Sequence, residues 1–580
     1  MSSIWKYLNI FRRPRKLPYY VGIDFGTSTT VIAYRKHHEE KGIQLILFGS
    51  KMAPRPYFLS VVAFEHSEKN KEVYYVRVDE DLERELLDFV REKQALIARG
   101  VFRRPKLHLG RGGFDQVEYP SELFGQFTGL LPEQVAACIL AYARKKAEEA
   151  LDTQITSVTI SVPAGWDPEQ RRATKLAALV AGFKDVELIE EPVAALMWLL
   201  SNEKTTERNH LTRPPQKEEQ VMVIDFGGGT CDVAIVTVDE NQVRLRHADA
   251  IKIGGEQIDD ILYREFNEYL FNTKGKKIDE SYVECRVMKQ IEQFKIDLNK
   301  KIKEKSPLES HSDVIVLDQS LGHVRWELSF EKFRQLLGDL ESESVNITSA
   351  NKKDSSIQIV KTFGSFIQKM ARTFKSIGKV YLVGGSSQLY FVRREVLKAF
   401  ERSESDENSF IELVDLPQRV VACGASFHQF RRISHKRFFI SKLPYEIALE
   451  TEKGSIVLVD EGQLLDNEFI YKKIKPVQTL GEESYLRFKF SQAGPALSDH
   501  KPIQKEIQPD YSRIPTITPL HKIKTEAKIS IDGLVFLKAL IMNPRTHLKV
   551  IEPYPVLLEE GLSEYLHKAH RMIPFLQAKQ

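Results

Sequence analysis

The stretch VGIDFGTSTTVIAY at residues 21–34 has a near copy, VMVIDFGGGTCDVAIV, at residues 221–236. Each copy combines an apolar strand that ends at an aspartate, a glycine-rich turn with hydroxyl side chains, and a second apolar strand, which predicts a β-hairpin. Tight glycine-rich turns carry backbone N–H groups that suit phosphate oxygens. A single turn of this kind is more often structural. A duplicated hairpin, however, allows two half-domains to hold one phosphate ligand from both sides.

Two aspartates, Asp24 and Asp225, end the first strands of the two hairpins. A carboxylate in this place can hold a hydrated divalent cation beside the phosphates, because hard cations prefer oxygen ligands and keep several waters. We therefore expect both aspartates at a metal and phosphate site. The phosphate ligands would be the N–H groups of the two turns, at Gly26, Thr27, Ser28, Gly227, Gly228, Gly229 and Thr230.

Three further segments combine strand and helix patterns around short turns. The segment ELIEEPVAALMWLL (187–200) closes a strand with two glutamates and opens a helix at Pro192, a favoured first-turn position. The segments IKIGGEQIDDILYREF (251–266) and VYLVGGSSQLYFVRREV (380–396) each place a glycine pair between a strand and a helix. Strands and helices that alternate over residues 19–425 predict an α/β fold.

On these motifs the chain resembles the actin-like ATPase superfamily and, within it, the 70-kDa heat-shock chaperones. The two hairpins, the EEP segment and the glycine pairs occur in that family's order. The resemblance covers residues 18–430 and, more faintly, the remainder. It implies a duplicated, two-lobed actin-like (ribonuclease H-like) ATPase domain that binds ATP or ADP with Mg²⁺.

The resemblance also implies roles for the charged residues. Asp24, Asp225 and Asp232 would face the metal and its waters. Glu191 would position the attacking water or the cation. Lys106, in VFRRPKLHLG, matches the family's lysine that reaches the γ-phosphate from a strand, although a basic run is usually a solvated face. The catalytic set would therefore comprise Asp24, Lys106, Glu191 and Asp225.

The nucleoside is expected to lie against the glycine pairs and one helix. The run IEQFKIDLNKK (291–301) places three polar side chains on one helical stripe, at spacings of three and four. Ile296 stands where many members have an arginine that stacks on adenine, which removes a cation–π-like contact. By resemblance, the nucleoside contacts are Gly254, Gly255, Glu292, Lys295, Asn299, Gly384, Gly385 and Ser386.

Other positions bear on coupling and partners. Pro163 and Arg171 match the proline and arginine that relay nucleotide state to the partner domain in this family. Glu187 stands where the family often has an arginine that meets an acidic J-domain co-chaperone, and a glutamate there would repel that acidic partner. Arg437 stands where the family has an acidic linker residue. The expected partners are an unfolded protein or peptide client and a nucleotide-exchange factor or divergent J-domain co-chaperone.

The length of 580 residues exceeds what one core supports, so two or more domains are expected. Residues 1–17 form a basic tail whose apolar side chains lie near cations, which would allow contact with a membrane surface, although a mobile tail is the commoner meaning of such a segment. Residues 18–430 form the ATPase domain and 431–442 an apolar linker. Residues 443–580 carry short alternating strands and resemble a reduced peptide-binding sandwich without a full helical lid.

Composition excludes little. The net charge of +4 gives no sign of nucleic-acid binding, and no nucleic-acid partner is expected. The four cysteines are far apart and match no metal-ligand spacing, which favours reduced thiols and a cytoplasmic location. We expect neither a membrane span nor a signal peptide, because no apolar run is long enough and the N-terminal basic residues follow the apolar ones.

Three functional classes share such phosphate hairpins. A sugar or acetate kinase would need a substrate-binding carboxylate in a cleft, and it would not need an apolar linker with a β-rich segment behind it. A filament-forming actin-like protein would usually end near VVACGASFH (420–428), whereas this chain continues to residue 580. We therefore expect a chaperone-like protein that hydrolyses ATP slowly, with Mg²⁺, to regulate binding of unfolded protein. The alternative is an actin-like ATPase that acts as a filament or scaffold.

Overall fold

A computed structural model of the chain describes most of residues 17–434 and only strands beyond them. The tail expected at residues 1–17 lies outside the described residues, except for residue 17 itself. The described ranges are 17–37, 42–49, 54–66, 74–78, 101–110, 132–166, 168–201, 219–239, 242–275, 277–278, 281–304, 309–317, 322–339, 358–414 and 417–434, followed by 439–442, 446–451, 454–459, 464–465, 469–473, 477–478, 486–491, 503–507, 522–530, 535–542 and 554–555.

The first lobe consists of two sheets and the helices that cover them. Its strands are β1 (Tyr19–Phe25), β2 (Thr29–Lys36), β3 (Gln44–Leu45), β4 (Tyr57–Leu59), β5 (Val61–His66), β6 (Tyr74–Arg77), β7 (Val101–Arg103), β8 (Ser157–Val162) and β9 (Asp185–Glu190), and its helices are α1 (Pro132–Leu151), α2 (Pro168–Val180) and α3 (Glu191–Leu200). The main sheet has the order β3-β2-β1-β8-β9, with β4 on β2, and the small sheet has the order β6-β5-β7. Every residue of β8 is buried, as expected for a strand covered on both faces.

The second lobe repeats this plan. Its strands are β10 (Glu219–Phe226), β11 (Cys231–Asp239), β12 (Gln242–Ile251), β13 (Ser310–Val316), β14 (His323–Ser329), β15 (Ile377–Val383) and β16 (Ile411–Leu413). Its helices are α4 (Gly255–Lys274), α5 (Ser281–Lys303), α6 (Phe330–Leu336), α7 (Ile359–Thr373), α8 (Val392–Ala399) and α9 (Glu407–Phe410). The main sheet begins β16-β15-β10-β11-β12, and β13 pairs with β14 as a separate hairpin.

The two lobes share one topology, which confirms the duplication expected from the repeated motif. In the first lobe β1 is antiparallel to β2 and parallel to β8. In the second lobe β10 is antiparallel to β11 and parallel to β15. Phe25 opposes Thr30 at the end of the first hairpin, and Phe226 opposes Cys231 at the end of the second. The chain therefore has the two-lobed α/β fold that the sequence predicted.

The helix α10 (Pro417–Ser434) follows β16 and joins the lobes. It packs on α3 so closely that a Cβ at Gly424 would lie 1.7 Å from the Ala194 carbonyl oxygen. Its other neighbour is β1, where a Cβ at Gly22 would lie 2.2 Å from the Ser426 nitrogen. One apolar core contains residues of both hairpins, α3 and α10. This shared core fixes the two hairpins relative to each other.

The linker expected at residues 431–442 is divided between two elements. Its first residues continue α10 to Ser434, and its last form β17 (Phe439–Lys442). β17 runs parallel to β12, with Phe439 beside Val243 and Ile440 beside Arg244, so it extends the main sheet of the second lobe. This part of the linker thus contacts the second lobe through a backbone ladder.

Beyond β17 the described residues are strands: β18 (Glu446–Thr451), β19 (Gly454–Val459), β20 (Leu464–Leu465), β21 (Phe469–Lys473), β22 (Val477–Gln478), β23 (Leu486–Ser491), β24 (Ile503–Ile507), β25 (Lys522–Ser530), β26 (Val535–Met542) and β27 (Tyr554–Pro555). They form sheets of order β19-β18-β23-β24 and β21-β25-β26-β27, with β22 on β25. β20 pairs with β17, so the linker strand has neighbours on both sides. Among the described residues, no helix is long and apolar enough to cross a membrane.

Candidate nucleotide site

The turns of the two hairpins face each other across one cavity of about 330 Å³. Their proximity is direct: a Cβ at Gly228 would lie 3.0 Å from the Ser28 hydroxyl, and a Cβ at Gly229 would lie 3.0 Å from the Thr27 hydroxyl. The first pair of glycine-rich motifs in the sequence is therefore brought together in space. A ligand in this cavity would contact both lobes at once.

Nearly all the residues expected to bind nucleotide line this cavity. Two of the expected residues, Asp232 and Gly254, are not part of its lining. Those that are include Asp24, Gly26, Thr27, Ser28, Lys106, Glu191, Asp225, Gly227, Gly228, Gly229, Thr230, Gly255, Glu292, Lys295, Asn299, Gly384, Gly385 and Ser386.

Lys106 is held beside the phosphate turns by a buried ion pair with Glu191. The expectation that it would project from a strand is wrong, because it lies in a short 3₁₀ helix (Pro105–His108) that follows β7. Proline at the start of this turn has a fixed φ and no N–H, so the strand ladder ends there. Lys106 is only 3% exposed. Burial opposes its charge, but Glu191 and Asp24 outweigh burial and raise its pKa.

The carboxylates around Lys106 outnumber it. Burial and then repulsion by Glu191 raise the pKa of Asp24 to about 6 and that of Asp232 to about 7. The same two causes raise the pKa of Asp225 well above its usual range. Carboxylates crowded in a buried space resist ionisation together, because each charge disfavours the next. The cluster therefore favours an additional positive charge.

A hydrated cation fits this cluster better than a directly bound one. Within the described part of the chain, no three His, Cys, Asp or Glu side chains are grouped so that they could hold a metal ion themselves. Asp232 accepts a hydrogen bond from the Ala164 N–H at 2.6 Å through Oδ1, while its Oδ2 is buried without a hydrogen-bond partner. Mg²⁺ keeps several waters and takes few protein ligands. Asp24 and Asp225 at the cavity wall, with Asp232 behind them, suit contacts through water.

Some backbone N–H groups in the turns of the two hairpins, here called the phosphate turns, form hydrogen bonds within their own turn. The Gly26 N–H donates to the Thr29 carbonyl at 3.0 Å, and the Gly227 N–H donates to the Thr230 carbonyl at 3.0 Å. These two N–H groups, which we expected to cradle phosphate, instead close the hairpin turns. The N–H groups of Thr27, Ser28, Gly228 and Gly229 remain for a ligand.

Two glycines are required by close backbone approach. Gly384 has φ of 84°, in the left-handed region, and a Cβ there would lie 2.4 Å from the Phe226 carbonyl oxygen. A Cβ at Gly254 would lie 2.1 Å from the Gly228 carbonyl oxygen. Gly254 therefore supports the second phosphate turn from behind, which explains its absence from the cavity wall.

The other end of the cavity is built from α4, α5 and the 3₁₀ turn Gly385–Gln388. The Lys295 ammonium pairs with Asp259 at 2.8 Å and donates to the Gly255 carbonyl at 3.0 Å. The Ser386 hydroxyl donates to the Gly227 carbonyl at 2.8 Å. Asn299 donates to the Gln388 carbonyl at 3.2 Å. These contacts join the helix α5 stripe to Gly255 and to the 3₁₀ turn, and they join that turn to the second hairpin, so this end has a fixed polar wall.

Ile296 also lines this end and is 49% exposed. Its side chain offers a ligand apolar contact without charge. An arginine there could lie over an aromatic base, and such an arrangement contributes about 0.5–1 kcal/mol at an exposed site. The isoleucine therefore leaves room for tighter base binding.

We predict that Ile296→Arg tightens ATP binding by about two- to fivefold, because a guanidinium stacks on the base. Isothermal titration calorimetry of the purified protein with ATP would measure the change in dissociation constant. Ile296→Lys is the matched control, since it adds the charge without the planar group. Equal affinities for the parent and the arginine variant would show that the base does not lie against this position.

Pro163 and Arg171, the two expected relay residues, lie near the carboxylate cluster: Pro163 is next to the residue that contacts Asp232, and Arg171 contacts Glu190. Pro163 directly follows β8, and Arg171 is in α2, 2% exposed. The guanidinium donates to the Glu190 carboxylate at 2.9 Å and to the Trp166 carbonyl at 3.3 Å. Because Glu190 directly precedes Glu191, a shift of Arg171 would also displace the backbone at Glu191, the glutamate expected to position water or the cation.

Several cavity residues were missed from the sequence. They are Thr29, Glu256, Asp259, Gln388, Leu389 and Val421. Glu256 and Asp259 lie three apart in α4, directly after the glycine pair, so they share one helix face. Lys295 on the helix α5 stripe pairs with Asp259. The spacing of the two acidic residues could therefore have indicated that they face the cavity. Val421 lies on α10, and no local pattern points to it.

A comparison with protein-family models gives one finding. The model described as Hsp70 protein matches residues 115–429, which is more than half of the 580 residues. The match includes Glu191, the second hairpin and the helix α5 stripe. The first hairpin and Lys106 lie before it, so their place in the cavity rests on geometry.

Proposed function

Because this chain belongs to the Hsp70 family, whose members are ATP-binding chaperones with ATPase activity and an actin-like fold, we propose that it hydrolyses ATP slowly with Mg²⁺ and uses this reaction to control binding of unfolded protein or peptide. One observation carries the proposal. The two hairpin turns meet over a single cavity that also contains Lys106, Glu191 and the aspartates.

The residues of the cavity divide the chemical work. Lys106, buried and positively charged, would stabilise the negative charge that develops on phosphate oxygens during hydrolysis. Glu191, fixed by its ion pair with Lys106, would orient the attacking water. Asp24 and Asp225 would hold Mg²⁺ through its waters, and the metal would neutralise phosphate charge. Among the described lining residues the cations are Lys106 and Lys295, and Lys295 is held by Asp259. A single cation at the phosphates is consistent with slow turnover.

The link to a client would run through β17. In the structure this strand is paired with β12, which provides a docked state. We propose that it is docked with ATP and released with ADP, with Pro163 and Arg171 relaying the change. Release of β17 would break only its short ladders, which join Phe439 and Ile440 to β12 and Ser441 and Lys442 to β20.

We predict that a protease specific for aromatic residues cleaves residues 435–442 quickly with ADP and slowly with ATP. The paired strand protects its backbone, and proteases require an extended, accessible segment. Limited digestion followed by mass spectrometry would give the two rates. Ile440→Pro should make cleavage fast in both states, since proline removes a ladder donor, whereas Ile440→Val is the matched control. Equal rates for the parent would contradict nucleotide gating and favour a fixed two-domain ATPase.

The partners follow the same reasoning. Family members generally bind unfolded clients and co-chaperones. Glu187, at the position expected to meet a J-domain, is 4% exposed and contacts His428 of α10 at 3.0 Å. A buried glutamate cannot replace the exposed arginine that would bind an acidic J-domain. This supports a divergent J-domain partner or a nucleotide-exchange factor. A peptide array probed with the full chain, with and without ATP, would identify clients.

The filament alternative makes an opposite prediction for assembly. An actin-like scaffold would sediment with ATP at micromolar concentration, whereas a chaperone would stay in the supernatant. Family membership and the strands beyond β17 support the chaperone. ATP-dependent sedimentation of the purified chain would reverse this preference.

We also propose that the protein works in a reducing compartment such as the cytoplasm. The cysteines whose side chains are described, Cys138, Cys231 and Cys423, are buried and form no disulfide with one another. Burial raises the pKa of Cys138 to about 12, so its thiol stays protonated and unreactive. Imaging of the tagged protein would test the location.

A further inference from the structure

We propose that the nucleotide cavity does not distinguish adenine from guanine, so that GTP binds in it as ATP does. This rests on the proposed nucleotide binding and widens its ligand class to the purine nucleotides. The residues that carry it lie where α5 and the 3₁₀ turn Gly385–Gln388 line the cavity, here called the base end.

Most polar side chains of the base end are engaged within the protein. The Asn299 amide is turned to the backbone on both sides: its Oδ1 accepts from the Tyr390 N–H at 2.8 Å, and its Nδ2 donates to the Gln388 carbonyl at 3.2 Å. Lys295 and Ser386 are held by the ion pair and hydrogen bonds described above. These groups join the walls of the base end, which limits their freedom to turn toward a base.

The side-chain amide of Gln388 is the exception. Glu292 contacts Lys289 at 3.4 Å, so Gln388 is, among the described polar side chains of the base end, the one that makes no hydrogen bond. An amide offers both an acceptor oxygen and N–H donors. It can therefore match adenine, which presents an acceptor at N7 beside a donor at N6, and guanine, which presents acceptors at N7 and O6.

The exposure of Gln388 keeps the cost of a poor match low. A site rejects an analogue strongly where its own buried polar groups would be left unpaired. Gln388 is exposed, so water can satisfy its amide beside either base. Of the described side chains at this end, the one with an unbonded amide is thus exposed and rotatable, whereas strict selection of a base would require a buried and fixed group.

Two apolar side chains complete the base end. Ile296 is 49% exposed and Leu389 is 6% exposed. Apolar contact is non-directional and depends on the area that is buried, and the two purines have faces of similar area. The phosphate turns cannot separate the nucleotides either, because ATP and GTP carry the same triphosphate. Neither end of the cavity therefore favours one purine strongly.

The test is isothermal titration calorimetry of the full chain with ADP and with GDP, each in the presence of Mg²⁺. Diphosphates are used because hydrolysis would disturb a titration with triphosphates. We expect the two dissociation constants of the parent to agree within about fivefold, a difference of about 1 kcal/mol. A larger preference for either base would overturn the proposal.

Gln388→Glu tests whether this side chain faces the base. A carboxylate only accepts hydrogen bonds, and guanine carries two adjacent donors, at N1 and N2, whereas adenine carries one, at N6. We expect the ratio of the dissociation constants to shift toward GDP by about tenfold, as a bidentate contact to a base allows. An unchanged ratio would overturn the proposal. Gln335→Glu, the same change at an exposed site in α6 outside the cavity wall, is the matched control and should leave the ratio as in the parent.

The same titrations distinguish this proposal from the proposed function. A parent that binds neither diphosphate would contradict nucleotide binding itself. A parent that binds ADP far more tightly than GDP would contradict only the equal treatment of the two purines, and ATP would remain the ligand of the cavity.

Discussion

Replacing Lys106 by alanine should lower ATP turnover by about 10²–10³-fold while ADP still binds. Lys106 is buried against Glu191, and Lys295, the other cation of the described cavity wall, is paired with Asp259. Its charge would matter most when phosphate oxygens gain negative charge in the transition state. Single-turnover hydrolysis at saturating ATP and calorimetric titration with ADP would separate the two effects.

This variant needs a control for stability. Removing one partner of a buried ion pair can destabilise a protein by about 3–5 kcal/mol. Lys106→Met keeps most of the volume and removes only the charge, so it should lose turnover to the same extent with a smaller change in melting temperature. Turnover of both variants within about tenfold of the parent would contradict this role and would indicate that Arg103 or Arg104 supplies the positive charge.

The fold could be predicted to a large extent because its signals are local and repeated. The two hairpins, the EEP segment and the glycine pairs each mark the end of a strand, and β-strand ends of a duplicated fold meet at one cleft. The polar stripe on α5 is likewise a local pattern. The structure places residues from each of these motifs around one cavity.

The unpredicted parts depend on contacts that are distant in sequence. The ion pair between Lys106 and Glu191 spans 85 positions, and the contact between Ser28 and Glu256 spans 228. No window of sequence contains both partners of such a pair. The use of the Gly26 and Gly227 N–H groups within their own turns was also hidden, because composition does not show which donors a turn consumes.

The boundary between ATPase domain and linker shows a third limit. A change of composition suggested a boundary after residue 430, yet α10 continues to Ser434 and β17 joins the second lobe. Helix ends depend on capping and tertiary contacts, which composition records poorly. The parallel pairing of β17 with β12 is a non-local choice, and the apolar character of the segment indicated burial without indicating a partner.

The second large effect is expected for Asp225→Asn, which should lower turnover by about 10²-fold while nucleotide affinity changes by less than about fivefold. The amide keeps the size of the side chain and removes the charge that would hold the hydrated cation. That charge acts mainly in the transition state, so binding of the ground state is less affected.

The same substitution should leave the melting temperature of the nucleotide-free protein unchanged or higher. Burial and the charges of Glu191, Asp24 and Asp232 disfavour an ionised Asp225, as its raised pKa shows. An amide removes this repulsion. A matched substitution at an exposed site, Asp313→Asn, should change neither turnover nor stability. Hydrolysis by Asp225→Asn at the parent rate would show that the cavity between the hairpins is not where ATP is cleaved, whereas lost turnover with preserved folding and binding would identify it as the catalytic site.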